Sequence, residues 1–166
     1  MTEEMLETFE ALTAKLAGTP EETARLTRDL SAQAVTIKPS PEEFSVLESV
    51  CHLRDIEIEG YSTRIRGILS EDNPLLADID GMRLAMEREY NQENLNEALQ
   101  AFTNARQENV ALLRSLNDEQ LDRTGVLEGV GEVTLAKLIL MMREHDEAHL
   151  DELLMISRVV RSSVDG

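Results

Sequence analysis

Apolar residues recur three and four positions apart along most of the chain, which is the spacing of amphipathic helices. The last stretch shows it most clearly, because its apolar residues and two histidines form one continuous stripe. The stripe consists of Leu135, Leu138, Met142, His145, His149, Leu153, Ile156 and Val160. The pattern predicts helices over residues 3–17, from about 20, and over 41–69, 93–116 and 134–161. Such elements favour an all-α fold, a four-helix bundle with additional short helices.

Residues that start and stop helices set the predicted boundaries. Thr19-Pro20-Glu21-Glu22 and Ser40-Pro41-Glu42-Glu43 have the order of capping boxes, so we expect helices to begin near 20 and 41. Gly18 is expected to end the first helix. Residues 71–82 predict an extended loop, and the glycines of residues 124–133 predict a flexible connection. Alternation of apolar and polar residues is too brief to predict a sheet, and the order of the helices stays open.

Composition narrows the class of protein. A chain of 166 residues with 42% hydrophobic and 30% charged residues fits one folded domain, residues 1–166. Acidic residues outnumber basic ones 33 to 16, and the net charge of -17 would repel nucleic acid. No apolar run is long enough for a membrane span, and the first ten residues are acidic where a secretory signal is basic. We therefore expect a cytoplasmic protein without nucleic-acid or membrane partners.

The sulfur-containing side chains are expected to pack in the protein core rather than to take part in a reaction. Cys51 is the only cysteine, so it cannot form an internal disulfide, and it should be a buried, inert thiol. The methionines are interpreted as core residues. They include Met82, Met86, Met141, Met142 and Met155.

The three histidines carry the main functional signal. His145 and His149 are four residues apart on the apolar stripe, so their side chains share one face and both can reach one ion. His52, in the second long helix, is the one histidine left to supply a third ligand. A lone histidine on an apolar face is more often a core residue with one hydrogen bond, but burying three without partners is costly. The set therefore predicts a site for a divalent metal ion.

Two further interpretations concern the acidic residues near these histidines. The spacing of His145 and His149 is that of the zinc protease motif H-E-x-x-H, but residue 146 is Asp where that motif has its glutamate base. Either Asp55 or Asp146 could accept the outer ring N–H of a ligand histidine, and Asp55 is favoured as the partner of His52. The remaining acids near His52, Glu48 among them, are expected to be solvated.

Three segments together resemble the DinB/YfiT-like family of metalloenzymes. They are HLRDIE at 52–57, ALQAFTNARQENVALLRSL at 98–116 and GEVTLAKLILMMREHDEAHLDEL at 131–153. The resemblance implies a four-helix bundle with a histidine triad, which corresponds here to His52, with Asp55 and Glu57 behind it, and to His145 and His149. Arg106 matches an arginine common in the third helix. We expect it to bind substrate, the alternative being an exposed, salt-bridged side chain.

The chain also departs from the family. It lacks the tryptophan that many members carry just before the first histidine, where this sequence has Phe44-Ser45. Substrate contacts from that side are therefore expected to differ.

The resemblance implies a function as well as a fold. Members include thiol-dependent S-transferases, many form homodimers, and zinc or nickel is the usual ion. The leading hypothesis is an enzyme in which the ion activates a low-molecular-weight thiol or a water molecule, with S-transfer to a small electrophile first and hydrolysis second. The alternatives are a dimeric, metal-binding stress-response protein without turnover and a bundle whose site holds no ion.

Overall fold

Four long helical segments dominate the protein, whose computed structural model describes residues 3–164 and the side chains of residues 8–163. The first is α1, Glu3–Thr27, and the second joins α2, Val46–Asp55, through a π-helical segment, Ile56–Tyr61, to α3, Ser62–Ser70. The third is α5, Leu95–Arg114, and the fourth is α7, Leu135–Val164. The shorter helices are α4, Gly81–Glu87, and α6, Asp118–Leu121, with 3₁₀ turns at Ala34–Thr36 and Tyr90–Gln92. This confirms the predicted four-helix bundle.

Helix α1 differs from the prediction, because it continues through both residues expected to interrupt it. Gly18 and Pro20 lie inside one helix of 25 residues. A proline has no N–H for the carbonyl four residues earlier, which here is that of Leu16. That carbonyl accepts a hydrogen bond from Arg106 Nη1 at 2.9 Å instead. The Thr19 hydroxyl does not cap a helix; it contacts the Lys15 carbonyl at 3.4 Å and Asp146 Oδ2 at 2.7 Å.

The start of α2 also lies later than predicted. Ser40-Pro41 forms a turn, in which the Glu43 N–H donates to the Ser40 carbonyl. The capping box is made by Ser45 and Glu48, whose side chains bond each other's backbone N–H groups at 3.0 and 2.9 Å. The segment before α2 is therefore free to line a pocket.

A small three-stranded sheet replaces the predicted loop and flexible connection. Strand β1, Leu75–Leu76, pairs in parallel with β2, Thr124–Leu127, and β2 pairs antiparallel with β3, Gly131–Thr134. Gly129 and Gly131 have positive φ angles of 77° and 107°, which glycine adopts without strain at the hairpin turn. The expectation of no sheet was wrong because each strand is too short to show a period.

The long helices pack so that α1 and α2 have the same neighbours. Helix α1 packs against α5 and α7, and α2 packs against the same two helices, so α1 and α2 occupy opposite corners of the bundle.

Buried apolar residues form two clusters. One includes Ile56 and Met142, and the other includes Val50 and Leu153. The second long segment passes from one cluster to the other near His52, and α7 does so near His145 and His149. Within the described chain, no helix has the length and hydropathy needed to cross a membrane.

Candidate metal centre

The three histidines meet between α2 and α7. His52 and His149 bring their Nε2 atoms to 3.1 Å, and the ring centroids of His145 and His149 are 4.4 Å apart. One nitrogen from each ring can be chosen so that all three lie within 4.8 Å of one another. The structure thus brings together all three residues that the sequence singled out as ligands.

The donor set fits a transition metal ion. Two ligand atoms of a tetrahedral zinc are about 3.4 Å apart when each is about 2.1 Å from the ion, close to the separation between His52 and His149. Neutral imidazole is the form that binds metal. Burial lowers the pKa of His52 to about 4 and that of His145 to about 2, with the neighbouring rings adding to the effect. Burial also lowers the pKa of His149, so all three rings are neutral at pH 7.

The outer nitrogen of His149 faces an acid that the sequence analysis did not select. Glu152 Oε2 lies 3.1 Å from His149 Nδ1. The contact is short but lies outside hydrogen-bond geometry, and this buried Nδ1 has no hydrogen-bond partner among the described residues. A small movement of the exposed Glu152 side chain would complete the carboxylate–histidine pair that metal sites commonly use.

Asp55 forms its hydrogen bonds with residues other than His52. Its carboxylate accepts hydrogen bonds from Arg54 Nε at 2.7 Å, Arg88 Nη1 at 2.6 Å and the Tyr90 hydroxyl at 2.6 Å. Burial alone would raise the pKa of Asp55, but these bonds outweigh it and the pKa is lowered. No hydrogen bond joins Asp55 to His52 among the described residues. Asp55 instead attaches α2 to the segment after α4.

Arg106 lies in the protein interior. Its side chain is 2% exposed, so it is salt-bridged but not the exposed side chain of the alternative interpretation. The terminal nitrogens bond both Asp146 oxygens at 2.5 and 3.0 Å, Glu57 Oε2 at 2.7 Å and the Leu16 carbonyl. Asn109 donates to the other Glu57 oxygen at 2.7 Å. This placement argues against a substrate contact, because no terminal nitrogen is left free, and Asp146 is committed to Arg106.

A pocket of about 690 Å³ opens beside the triad. His52 and His149 both line it. The rest of its wall comes from the segment before α2, from the start of α4 and from α7. These residues are Glu42, Glu43, Phe44, Asp78, Ile79, Asp80, Gly81, Met82, Glu152, Met155 and Ile156. Met82 and Met155 are 42% and 67% exposed, so their assignment to the core was wrong, as was that of Met86 at 75%.

Gly81 is a site residue that the sequence gave no reason to select. A Cβ atom placed on it would lie 2.6 Å from both Cε1 and Nδ1 of His52. Asp80 caps α4 by accepting from the Arg83 N–H at 3.0 Å, which brings the first turn of α4 against the imidazole. The contact joins distant parts of the chain, so local sequence contains no signal for it.

Comparison with known proteins gives one family match and one fold match. The family model described as the DinB superfamily matches residues 15–153. A solved structure described as "YfiT from Bacillus subtilis is a probable metal-dependent hydrolase with an unusual four-helix bundle topology" superposes with a TM-score of 0.85. The two sequences are 18% identical, and the match covers 95% of this chain and 89% of that one, so it shows the fold. No curated protein gives a significant match.

Proposed function

Because the chain belongs to the DinB superfamily and its three histidines meet beside a pocket, we propose that it is an enzyme that uses a divalent metal ion to hydrolyse a small molecule. The convergence of His52, His145 and His149 carries the proposal. Three protein ligands are typical of catalytic zinc sites, which keep a position for water or substrate, whereas structural sites have four. Zinc or nickel is the ion we propose, since both accept imidazole nitrogens.

The chemistry requires a nucleophile at neutral pH. When bound, a divalent ion of this kind would lower the pKa of a water molecule toward 7 and would polarise a carbonyl or phosphoryl oxygen, which makes the atom bonded to that oxygen more electrophilic. The protein holds its three imidazoles neutral by burial, so protons do not compete for their nitrogens near pH 7.

Arg106 bonds both Asp146, which follows His145 on α7, and Glu57 of the π-helical segment. These bonds hold α7 in register with the segment that carries His52. Phe44 and Ile156 give part of the pocket wall an apolar surface.

Hydrolysis ranks ahead of thiol transfer for two reasons. The similar Bacillus subtilis structure is described as a probable metal-dependent hydrolase. Low-molecular-weight thiols of the glutathione type are anions, and the residues that line the pocket include five carboxylates and no lysine or arginine. Thiol transfer remains the second candidate, since three neutral imidazoles would support an ion that activates a thiol as readily as water.

Metal content and turnover test the proposal together. Protein purified without an affinity tag and supplied with zinc or nickel should retain about one ion per chain. We expect His149→Ala to lose the ion and all hydrolysis of a panel of small esters, amides and lactones. Arg158→Ala, an exposed position on the same helix, is the control and should retain both.

The outcomes separate the candidate functions. Turnover that requires a thiol would replace hydrolysis by S-transfer. Stoichiometric metal without any turnover would favour a non-catalytic metal-binding protein. Negligible metal in both the wild type and His149→Ala would remove the basis of the proposal.

A further inference from the structure

The wall of the pocket beside the triad has a single sign of charge. Five acidic residues line it, and none of its lining residues is lysine or arginine. These residues are Glu42, Glu43, Asp78, Asp80 and Glu152. A cleft walled by one sign of charge focuses the field and concentrates ligands of the opposite sign. The net charge of -17 reinforces that field.

Few of these carboxylates are neutralised by neighbours. Asp80 caps α4, and the single ion pair of Asp78 among the described residues is a long contact of 4.0 Å with Arg64. Glu42 and Glu43 are exposed on the segment before α2, and among the described residues neither forms an ion pair. Their charges are therefore available to a ligand that enters the pocket.

Two aromatic side chains show that the pocket is more than an acidic surface. His52 is 8% exposed, lines the pocket, and receives no hydrogen bond at Nδ1 from any residue that the structure describes. Phe44 lies against it with ring centroids 5.3 Å apart. An aromatic face beside carboxylates is a favourable environment for an organic cation. Met82, Met155 and Ile156 add apolar surface.

We propose that this pocket selects a small organic cation, a protonated amine or quaternary ammonium group attached to an apolar body. The inference rests on the proposed function in that it names the substrate class of the same site. A divalent ion at the triad would contribute two positive charges against five carboxylates, so the pocket remains negative. Anionic substrates and anionic thiols are disfavoured for the same reason.

Two ligands of similar shape and opposite charge test the proposal. Phenylpropyl trimethylammonium cannot coordinate a metal, and phenylpropyl sulfonate coordinates one weakly. Calorimetric titration of the zinc-loaded protein at low ionic strength should show the cation binding at least about tenfold more tightly, a preference that shrinks as salt is added. The titrations are repeated on metal-free protein.

Matched charge variants locate the effect. Glu42→Gln combined with Glu43→Gln should reduce the preference for the cation by about three- to tenfold. Glu10→Gln combined with Glu108→Gln removes the same two charges from exposed positions on α1 and α5 outside the pocket, and should change the preference less than twofold.

Three results would overturn the inference. They are sulfonate binding as tightly as the cation, equal effects of the two double variants, and failure of both ligands to bind. Each differs from failure of the proposed function, which is measured as metal content. Protein that holds zinc and prefers the sulfonate keeps the proposed function and loses this inference. Protein that holds no zinc but prefers the cation keeps this inference and loses the proposed function.

Discussion

Gly81 lies so close to the His52 ring that adding one methyl group, in Gly81→Ala, tests the role of this contact in metal binding. In Gly81→Ala the new Cβ would lie 2.6 Å from the imidazole, and the ring cannot yield freely because it packs against Phe44 and His149. Alanine is otherwise suited to the first turn of a helix. We therefore expect zinc affinity to fall about 10- to 100-fold, the size of effect seen when metal ligands lose their support. Competition with a chromophoric chelator measures it.

The control for this substitution is Gly18→Ala. Gly18 lies inside α1, and a Cβ there would meet nothing within 4 Å. This variant should gain about 0.5–1 kcal/mol of stability from the lower backbone entropy of its unfolded state, with unchanged zinc affinity. Equal affinities of Gly81→Ala and wild type would show that the ring has room to move.

The sequence predicted the individual residues well where local spacing decides the outcome. The pair His145 and His149 follows from helix periodicity, and Cys51 is buried, as expected, with its pKa raised to about 12 by burial. Asp55 could not be assigned this way, because its partners Arg88 and Tyr90 come from another part of the chain. The same limit applies to Gly81 and Glu42, which reach the pocket only once the fold exists.

At the scale of elements, the buried cluster around Arg106 connects all four long segments. It joins the Leu16 carbonyl and Thr19 of α1, Glu57 of the π-helical segment and Asp146 of α7. A single arginine compensates two buried carboxylates. We expect Arg106→Leu to lower the free energy of unfolding by about 3–5 kcal/mol, because both acids are left without their cation. Urea unfolding in the presence of a chelator measures this without a contribution from metal.

An exposed ion pair supplies the comparison for Arg106. Arg143 bonds Glu147 on the surface of α7 at 2.7 Å, and Arg143→Leu should cost less than about 1 kcal/mol. A loss in Arg106→Leu no larger than in Arg143→Leu would mean that the cluster contributes little to stability.

The same cluster explains why two element boundaries were predicted incorrectly. Pro20 normally marks the first turn of a helix, but here Arg106 takes the carbonyl that the proline leaves free, so α1 continues. The π-helical segment is a second feature of this cluster that the sequence did not predict. Glu57 and Tyr61 lie in its wider turn, and Glu57 faces Arg106 from it. π-Helical turns are associated with functional sites, and nothing in apolar periodicity reveals one.

At the scale of the whole molecule, the helical content was predictable and the arrangement was not. Four long apolar stripes require a bundle, but they do not say that α1 and α2 take opposite corners. The sheet depends on pairing between Leu75 and Val126, residues far apart in sequence. The crowding of Gly125 against Leu76 and Ile68 leaves no space for a side chain there, a constraint visible only in three dimensions.

Burial of three neutral imidazoles also makes the stability of the whole protein depend on pH. Burial, with the neighbouring charges, lowers the pKa of His145 from 6.5 to about 2, so below pH 6.5 the unfolded chain binds a proton that the folded chain does not. Stability is therefore lost as pH falls. Between pH 7.5 and 5.0 this histidine alone should cost the metal-free protein about 2 kcal/mol.

The variant His145→Gln isolates that contribution from the many carboxylates. Glutamine does not titrate, so the free energy of unfolding of the variant should fall by about 2 kcal/mol less than that of the wild type over the same interval. Urea unfolding of both proteins at each pH, with chelator present, gives the difference. Carboxylate protonation affects the two proteins alike and cancels. Parallel losses in wild type and variant would mean that His145 is protonated in the folded protein at pH 5, and that its ring is less buried than the packing of α2 against α7 requires.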